Sequence, residues 1–182
     1  MFWWAKISRL SNSQTFTSQA NWKPSLFDNF GNNVFGWCDS DTYQVEDDGG
    51  KVISYIADGV YRWIQISGEK YPQHFCGPQG NYDDFQVSVL TKLISGDPDT
   101  AYGVVFRAYF QSFKGLSRFI INPANEYRVD TRDSEGNWII LQDWTKTNDM
   151  NLIGDWNKIT VSGVGPVFMF FINDKFQTTV TY

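Results

Sequence analysis

Tyr127-Arg128-Val129-Asp130-Thr131-Arg132-Asp133-Ser134-Glu135-Gly136-Asn137-Trp138-Ile139-Ile140-Leu141-Gln142-Asp143-Trp144 carries the clearest fold signal in the chain. Tyr127 to Arg132 reads as one strand, Asp133 to Asn137 as a turn rich in Asp, Ser, Gly and Asn, and Trp138 to Trp144 as the returning strand. The sequence predicts a β-hairpin here, and the same grammar extends in both directions.

Upstream, Phe85, Val87, Val89, Thr91 and Leu93 fall on one face of a strand, with Gln86, Ser88 and Lys92 on the other. Ser95-Gly96-Asp97-Pro98-Asp99 closes it as a turn. Tyr102 to Phe110 reads as the next strand, with Val104, Phe106 and Ala108 apolar on one side and Arg107 and Tyr109 pointing the other way beside Val105. Arg118 to Asn122 is a short strand stopped by Pro123. Downstream, Trp156 to Ser162 and Val167 to Asn173 form a second hairpin around Gly163-Val164-Gly165-Pro166. No window carries the 3.6-residue period of a helix, so the expected class is all-β, a sandwich or barrel. Residues 1–25 are polar with scattered aromatics and no strand period, and read as an N-terminal arm or edge segment ahead of a domain over 26–182.

Composition supports a folded domain. Of 182 residues, 18% are aromatic and only 19% charged, so apolar burial can outweigh chain entropy. The formal net charge is -5 and the basic residues are scattered, which argues against a nucleic-acid or membrane-surface partner. No stretch approaches the roughly 18 apolar residues of a membrane span. The start Met1-Phe2-Trp3-Trp4-Ala5-Lys6-Ile7 lacks the layout of a signal peptide, so a cytoplasmic location is the expectation if the chain is complete. Cys38 and Cys76 permit one bridge but read as two half-buried thiols.

Several segments in order resemble the concanavalin A-like lectin/glucanase jelly roll, and within it bacterial 3-keto-disaccharide hydrolase and laminin-G-like domains. They are Leu26-Phe27-Asp28-Asn29-Phe30 with Trp37, Asp84-Phe85-Gln86-Val87, Tyr102 to Arg107, and Tyr127-Arg128-Val129. Gly136-Asn137-Trp138 leading to Leu141-Gln142-Asp143-Trp144-Thr145, Gly154 to Val161, and Phe168 to Lys175 continue the series. The resemblance implies a two-sheet antiparallel jelly-roll sandwich. Such chains usually return in a closing strand after the last turn, whereas this one ends at Thr178-Thr179-Val180-Thr181-Tyr182. The edge along Phe176 to Thr181 is therefore expected either to be covered by the aromatic arm, Met1 to Phe16, or to stay open to a partner, a second copy or a neighbouring domain, and the arm is expected to pack against its own sheet or to join a second copy.

A retaining glycosidase needs two carboxylates about 5 Å apart. The Glu-x-Asp-x-x-Glu pattern of laminarinase-like enzymes is absent, and Asp130 to Glu135 has the wrong residues and order. There is no Gly-x-Ser-x-Gly, and the single His74 lies in a Pro- and Gly-bounded loop. Sugar binding asks for less: an aromatic face for the C–H side of a pyranose and polar groups for its hydroxyls. Arg107, Tyr109, Arg128 and Asp130 would form such a strip if their strands are neighbours, and Trp63 and Gln65 are further candidates. The alternative for Arg128 and Asp130 is a cross-strand charge pair on a solvated face. Trp138, Trp144 and Trp156 are assigned to the core or its rim. Asp97-Pro98-Asp99 and Asp39-Ser40-Asp41 offer oxygens to a structural calcium ion, but turns are favoured and no cofactor is expected.

The expected function is a non-catalytic carbohydrate-binding or accessory module. A glycoside hydrolase or lyase acting on a sugar derivative, and a structural interaction domain, are the alternatives.

Overall fold

The structure, a computed structural model, describes residues 2–9, 26–38, 51–66, 77, 84–107 and 115–182, with only the backbone of 2–9, 51 and 66. Among these residues the chain is all-β, in eleven strands. They are β1 (Phe2–Arg9), β2 (Lys51–Ala57), β3 (Val60–Ile66), β4 (Phe85–Leu93), β5 (Tyr102–Phe106) and β6 (Ser117–Asn122). The remainder are β7 (Glu126–Arg132), β8 (Trp138–Lys146), β9 (Asn157–Val164), β10 (Val167–Ile172) and β11 (Lys175–Thr181). Two antiparallel sheets result: a seven-stranded one in the order β11-β10-β9-β4-β1-β3-β2 and a four-stranded one in the order β5-β6-β7-β8. Turn chemistry sets several of the links. Asp58-Gly59 (φ 54° and 70°) and Asn173-Asp174 (φ 50° and 65°) both take the left-handed conformation that a two-residue hairpin turn requires.

The two sheets share an aromatic core. Phe85, Val87, Val89 and Leu93 of β4, Ile159 and Val161 of β9, and Phe168, Phe170 and Ile172 of β10 supply one side. Tyr102, Val104, Phe106, Phe119, Ile121, Tyr127 and Val129 supply the other. Rings meet across the interface, with Phe119 and Phe170 at 4.9 Å between centroids and Phe106 and Phe168 at 5.4 Å. Gly163 makes room for them: a Cβ there would lie 2.7 Å from the Phe168 ring, so only a hydrogen fits. Buried Asn157 ties the loop before β9 to its strand, accepting from the Asn151 amide (2.8 Å) and donating to the Asn151 carbonyl (3.2 Å). Burial pushes the neighbouring Tyr102 phenol up to about 12, against the pull of its bond to Asn157.

A second cluster forms where residues 26–38 meet β3. Phe30, Trp37 and Tyr61 meet one another at 5.0 to 6.2 Å between centroids. The buried Asp28 carboxylate accepts from the Trp37 indole (2.7 Å) and from the Phe30 backbone N–H (2.7 Å), which fixes a turn with Phe30 at φ 55°. The segment Leu26 to Phe30 with Trp37 is thus a structural device.

The alternation expected for Phe85 to Leu93 and the hairpin from Tyr127 to Trp144 both stand in the structure. Four expectations are corrected. Residues 2–9, read as part of an arm or edge segment, form β1 in the interior of the large sheet, paired with β3 and β4. The strand expected over Tyr102 to Phe110 ends at Phe106, because Arg107 turns the backbone to φ 51°; Ala108 and Tyr109 lie outside the described residues. The chain returns after the Asn173-Asp174 turn as β11, paired with β10 and ending the sheet as an edge strand; the N-terminal segment does not cover that edge but packs into its own sheet, one of the two placements expected for it, with β10, β9 and β4 between β11 and β1. Cys38, read as a free thiol, is disulfide-bonded, while Cys76 lies outside the described residues.

Candidate functional site

The candidate site lies on the outer face of the four-stranded sheet. Along β7, Tyr127 and Val129 turn into the core, so strand alternation sends Arg128, Asp130 and Arg132 to the opposite face. Cross-strand pairing sets Arg118 of β6 opposite Asp130 and Trp138 of β8 opposite Arg132. The β7–β8 register then shifts. A regular ladder from the Arg132–Trp138 pair would put Trp144 opposite Glu126, but Lys146 occupies that place, and Trp144 comes to lie beside Arg128.

Asp130 is the centre of this face, with no exposed surface. Its Oδ2 accepts from Arg118 Nε at 2.9 Å and lies 2.8 Å from Arg118 Nη2, while its Oδ1 accepts from Arg128 Nε at 2.6 Å. Trp138 lies beneath the Arg118 guanidinium, 3.8 Å from carbon to ring centroid, with Arg132 at 5.2 Å. Arg128 stands 5.9 Å from the Trp144 ring. Ile140, opposite Asp130, is half exposed between the two tryptophans in sequence. At one end of the face Glu126 accepts from Asn122 and pairs with Lys146 (3.1 Å). These contacts hold the Glu126 carboxyl below its ordinary value, Asn122 contributing most.

The six candidate residues do not form one strip. Arg128 and Asp130 meet, but as a same-strand pair sharing the carboxylate with Arg118, and Asp130 is buried instead of solvated. Arg107 is exposed at the end of β5, its guanidinium 4.4 Å from the Phe168 ring and donating to the Gly165 carbonyl at 2.7 Å. There it tucks against the C-terminus: the Tyr182 ring stacks on Phe168, and Tyr182 and Ser117 share a hydroxyl hydrogen bond. Burial raises the Tyr182 phenol pKa, partly offset by Ser117 and by the Arg107 charge. Tyr109 lies outside the described residues. Trp63 and Gln65 belong to β3 in the other sheet, both half-buried.

Arg118, Trp138 and Trp144 are the site residues that sequence reasoning missed. The two tryptophans, assigned to the core or rim, are half-buried on the outer face, and Trp156 is 38% exposed. Strand alternation opposite Arg132 could have placed Trp138; Arg118 and Trp144 depend on cross-strand register, which has no local signature.

Asp130 has both oxygens engaged and no exposed surface, which removes it as an acid or base for a substrate. Its partners are also different from those of Arg107, and His74 lies outside the described residues. Among the described residues no group of three or more His, Cys, Asp or Glu side chains comes together as a metal site. No protein-family model matches this chain, and no curated protein or solved structure is detectably similar to it.

Proposed function

We propose that this chain is a non-catalytic carbohydrate-binding module on a concanavalin A-like jelly roll, with its ligand on the outer face of the four-stranded sheet. The observation that carries this reading is the arrangement of Arg118, Asp130 and Arg128 between Trp138 and Trp144. Saccharide recognition needs planar groups and fixed hydrogen-bond donors on a shallow surface. Here the buried carboxylate holds two guanidiniums at their Nε atoms, so their orientation is set before any ligand arrives. Trp138 serves mainly to support Arg118, which leaves Trp144 as the ring for a pyranose face.

The jelly-roll part of the proposal draws on two sheets meeting over a shared aromatic core and on the ordered motifs from Leu26 to Lys175. The test is titration of the protein against a panel of neutral and acidic oligosaccharides, followed by nuclear magnetic resonance or calorimetry. Binding should appear for at least one saccharide and weaken about tenfold or more in Trp144→Ala, with thermal stability nearly unchanged. No binding at millimolar concentration, or binding indifferent to Trp144→Ala and Arg128→Gln, would overturn the assignment.

A further inference from the structure

The donor inventory of the same face says more about the ligand. Arg118 directs Nε and Nη2 at one oxygen of Asp130, and Arg128 directs only Nε at the other. Arg118 Nη1 and Arg128 Nη2 have no protein acceptor among the described residues, and Arg128 Nη1 stands 3.8 Å from Asp143, beyond a normal hydrogen bond. Both arginine side chains keep about a fifth of their surface exposed, 19% and 20%, and neither donor is among the buried polar atoms that lack a partner, so both face the surface where a ligand reaches them.

Charge points the same way. Arg118 and Arg128 share the one buried carboxylate of Asp130, two guanidiniums against one carboxylate, in a chain whose formal net charge is -5, while Arg132 reaches the hairpin turn and donates to the Gly136 carbonyl at 2.9 Å. Glu126 and Lys146 cancel each other, and the Asp143 carboxylate, 72% exposed, accepts from the Trp144 backbone N–H at 2.8 Å and stands 3.8 Å from Arg128. Asp133 in the hairpin turn accepts at Oδ1 from the Glu135 and Asn137 backbone N–H groups, and the Asn137 side-chain amide donates to Asp133 Oδ2 and to the Glu135 carboxylate within the same turn. A guanidinium with two adjacent unspent N–H groups matches the planar geometry of a carboxylate better than that of a lone hydroxyl.

We propose that the ligand is an acidic saccharide, one whose sugar rings carry carboxylates. The ligand carboxylate docks on the free N–H groups of Arg128 and Arg118, and a ring of the same chain rests on Trp144. This rests on the saccharide-binding reading above and narrows it.

The experiment compares uronic-acid oligomers (galacturonate, mannuronate and glucuronate) with the methyl ester of each, which keeps ring and linkage and removes the charge. At about 20 mM salt at least one acid should bind about tenfold or more tightly than its ester, and the gap should narrow by about 500 mM salt. Arg128→Gln should bring acid binding down to the level of the ester, and Arg128→Lys should recover only part of it, because charge without the fork is retained. If an acid and its ester bind equally, the charge preference is wrong while saccharide binding stands. If neutral sugars bind and every acid fails, the charge preference is again wrong. If no saccharide of either kind binds, both proposals fall.

Discussion

Arg118 and Asp130 face each other across β6 and β7 with Nη2 2.8 Å from Oδ2, and the carboxylate between Arg118 and Arg128 has no exposed surface. The arginines on either side keep about a fifth of theirs, and Trp138 closes one face of Arg118. The sheet thus holds one buried carboxylate as the shared acceptor of two guanidiniums.

Removing that carboxylate strands two half-buried guanidiniums. Asp130→Asn should lower unfolding free energy by on the order of 3 kcal/mol, read as a fall in the urea midpoint at constant slope. Asp143→Asn is the control: 72% exposed and 3.8 Å from Arg128, it should change stability by less than about 0.5 kcal/mol. Equal effects from the two would mean that the buried pair does not hold the sheet.

Asp28 performs a comparable task at the other end of the fold. With Asp28→Ala the Trp37 indole and the Phe30 backbone N–H both lose their acceptor in a buried setting. A loss of roughly 2 to 4 kcal/mol should follow, with a changed tryptophan emission spectrum in the native state. An unchanged spectrum and midpoint would show that the loop is held by its ring contacts alone.

Neighbouring residues at the end of β5 should behave oppositely. Phe106 is 6% exposed and packs against Phe85, Phe168 and Phe170, so Phe106→Ala should cost about 3 to 5 kcal/mol. Arg107→Ala loses an exposed stack and one bond to Gly165 and should cost under about 1 kcal/mol. Denaturant melts of the two variants side by side decide it; a larger loss for Arg107→Ala would show the C-terminal corner to be the critical one.

Acid should loosen the β6–β7–β8 turns first. Glu126 is held below its ordinary 4.5, chiefly by the Asn122 hydrogen bond and then by Lys146, and Asp133 below its ordinary 3.8, chiefly by the Asn137 backbone N–H. A carboxyl lowered in the folded state binds protons more readily when unfolded, so its contribution is complete above the ordinary value and disappears as pH falls through the folded one. Stability should therefore be level from pH 7 to about 5 and decline below about 4.5. Glu126→Gln and Asp133→Asn should each flatten the decline. Both groups are partly exposed and screened by solvent, so the effect is modest, and amide exchange at Asn137 and Ala124 is the sensitive readout.

Local pattern made much of the fold legible. The alternation of Phe85 to Leu93 and the turn residues from Asp133 to Asn137 act over a few positions, and side-chain periodicity carries that information directly. The Asp58-Gly59 turn, which sequence reasoning passed over, is a local signal of the same kind, both residues taking the positive φ of a type I′ hairpin turn. By contrast, nothing local marks Phe2–Arg9 as an interior strand. Its pairing with β3 and β4 joins residues more than fifty positions apart, so the partners exist only once the sheet has assembled.

The site divides along the same line. The sequence by itself determined that Arg128 and Asp130 share a strand face, because alternate residues of a strand must. Only the tertiary structure decided that Arg118 lies opposite Asp130, that a register shift brings Trp144 to Arg128 instead of Glu126, and that Arg107 turns away at φ 51°. Register is a competition among whole-sheet alignments, settled by how the core packs on the far side of each strand. The outer face inherits that result.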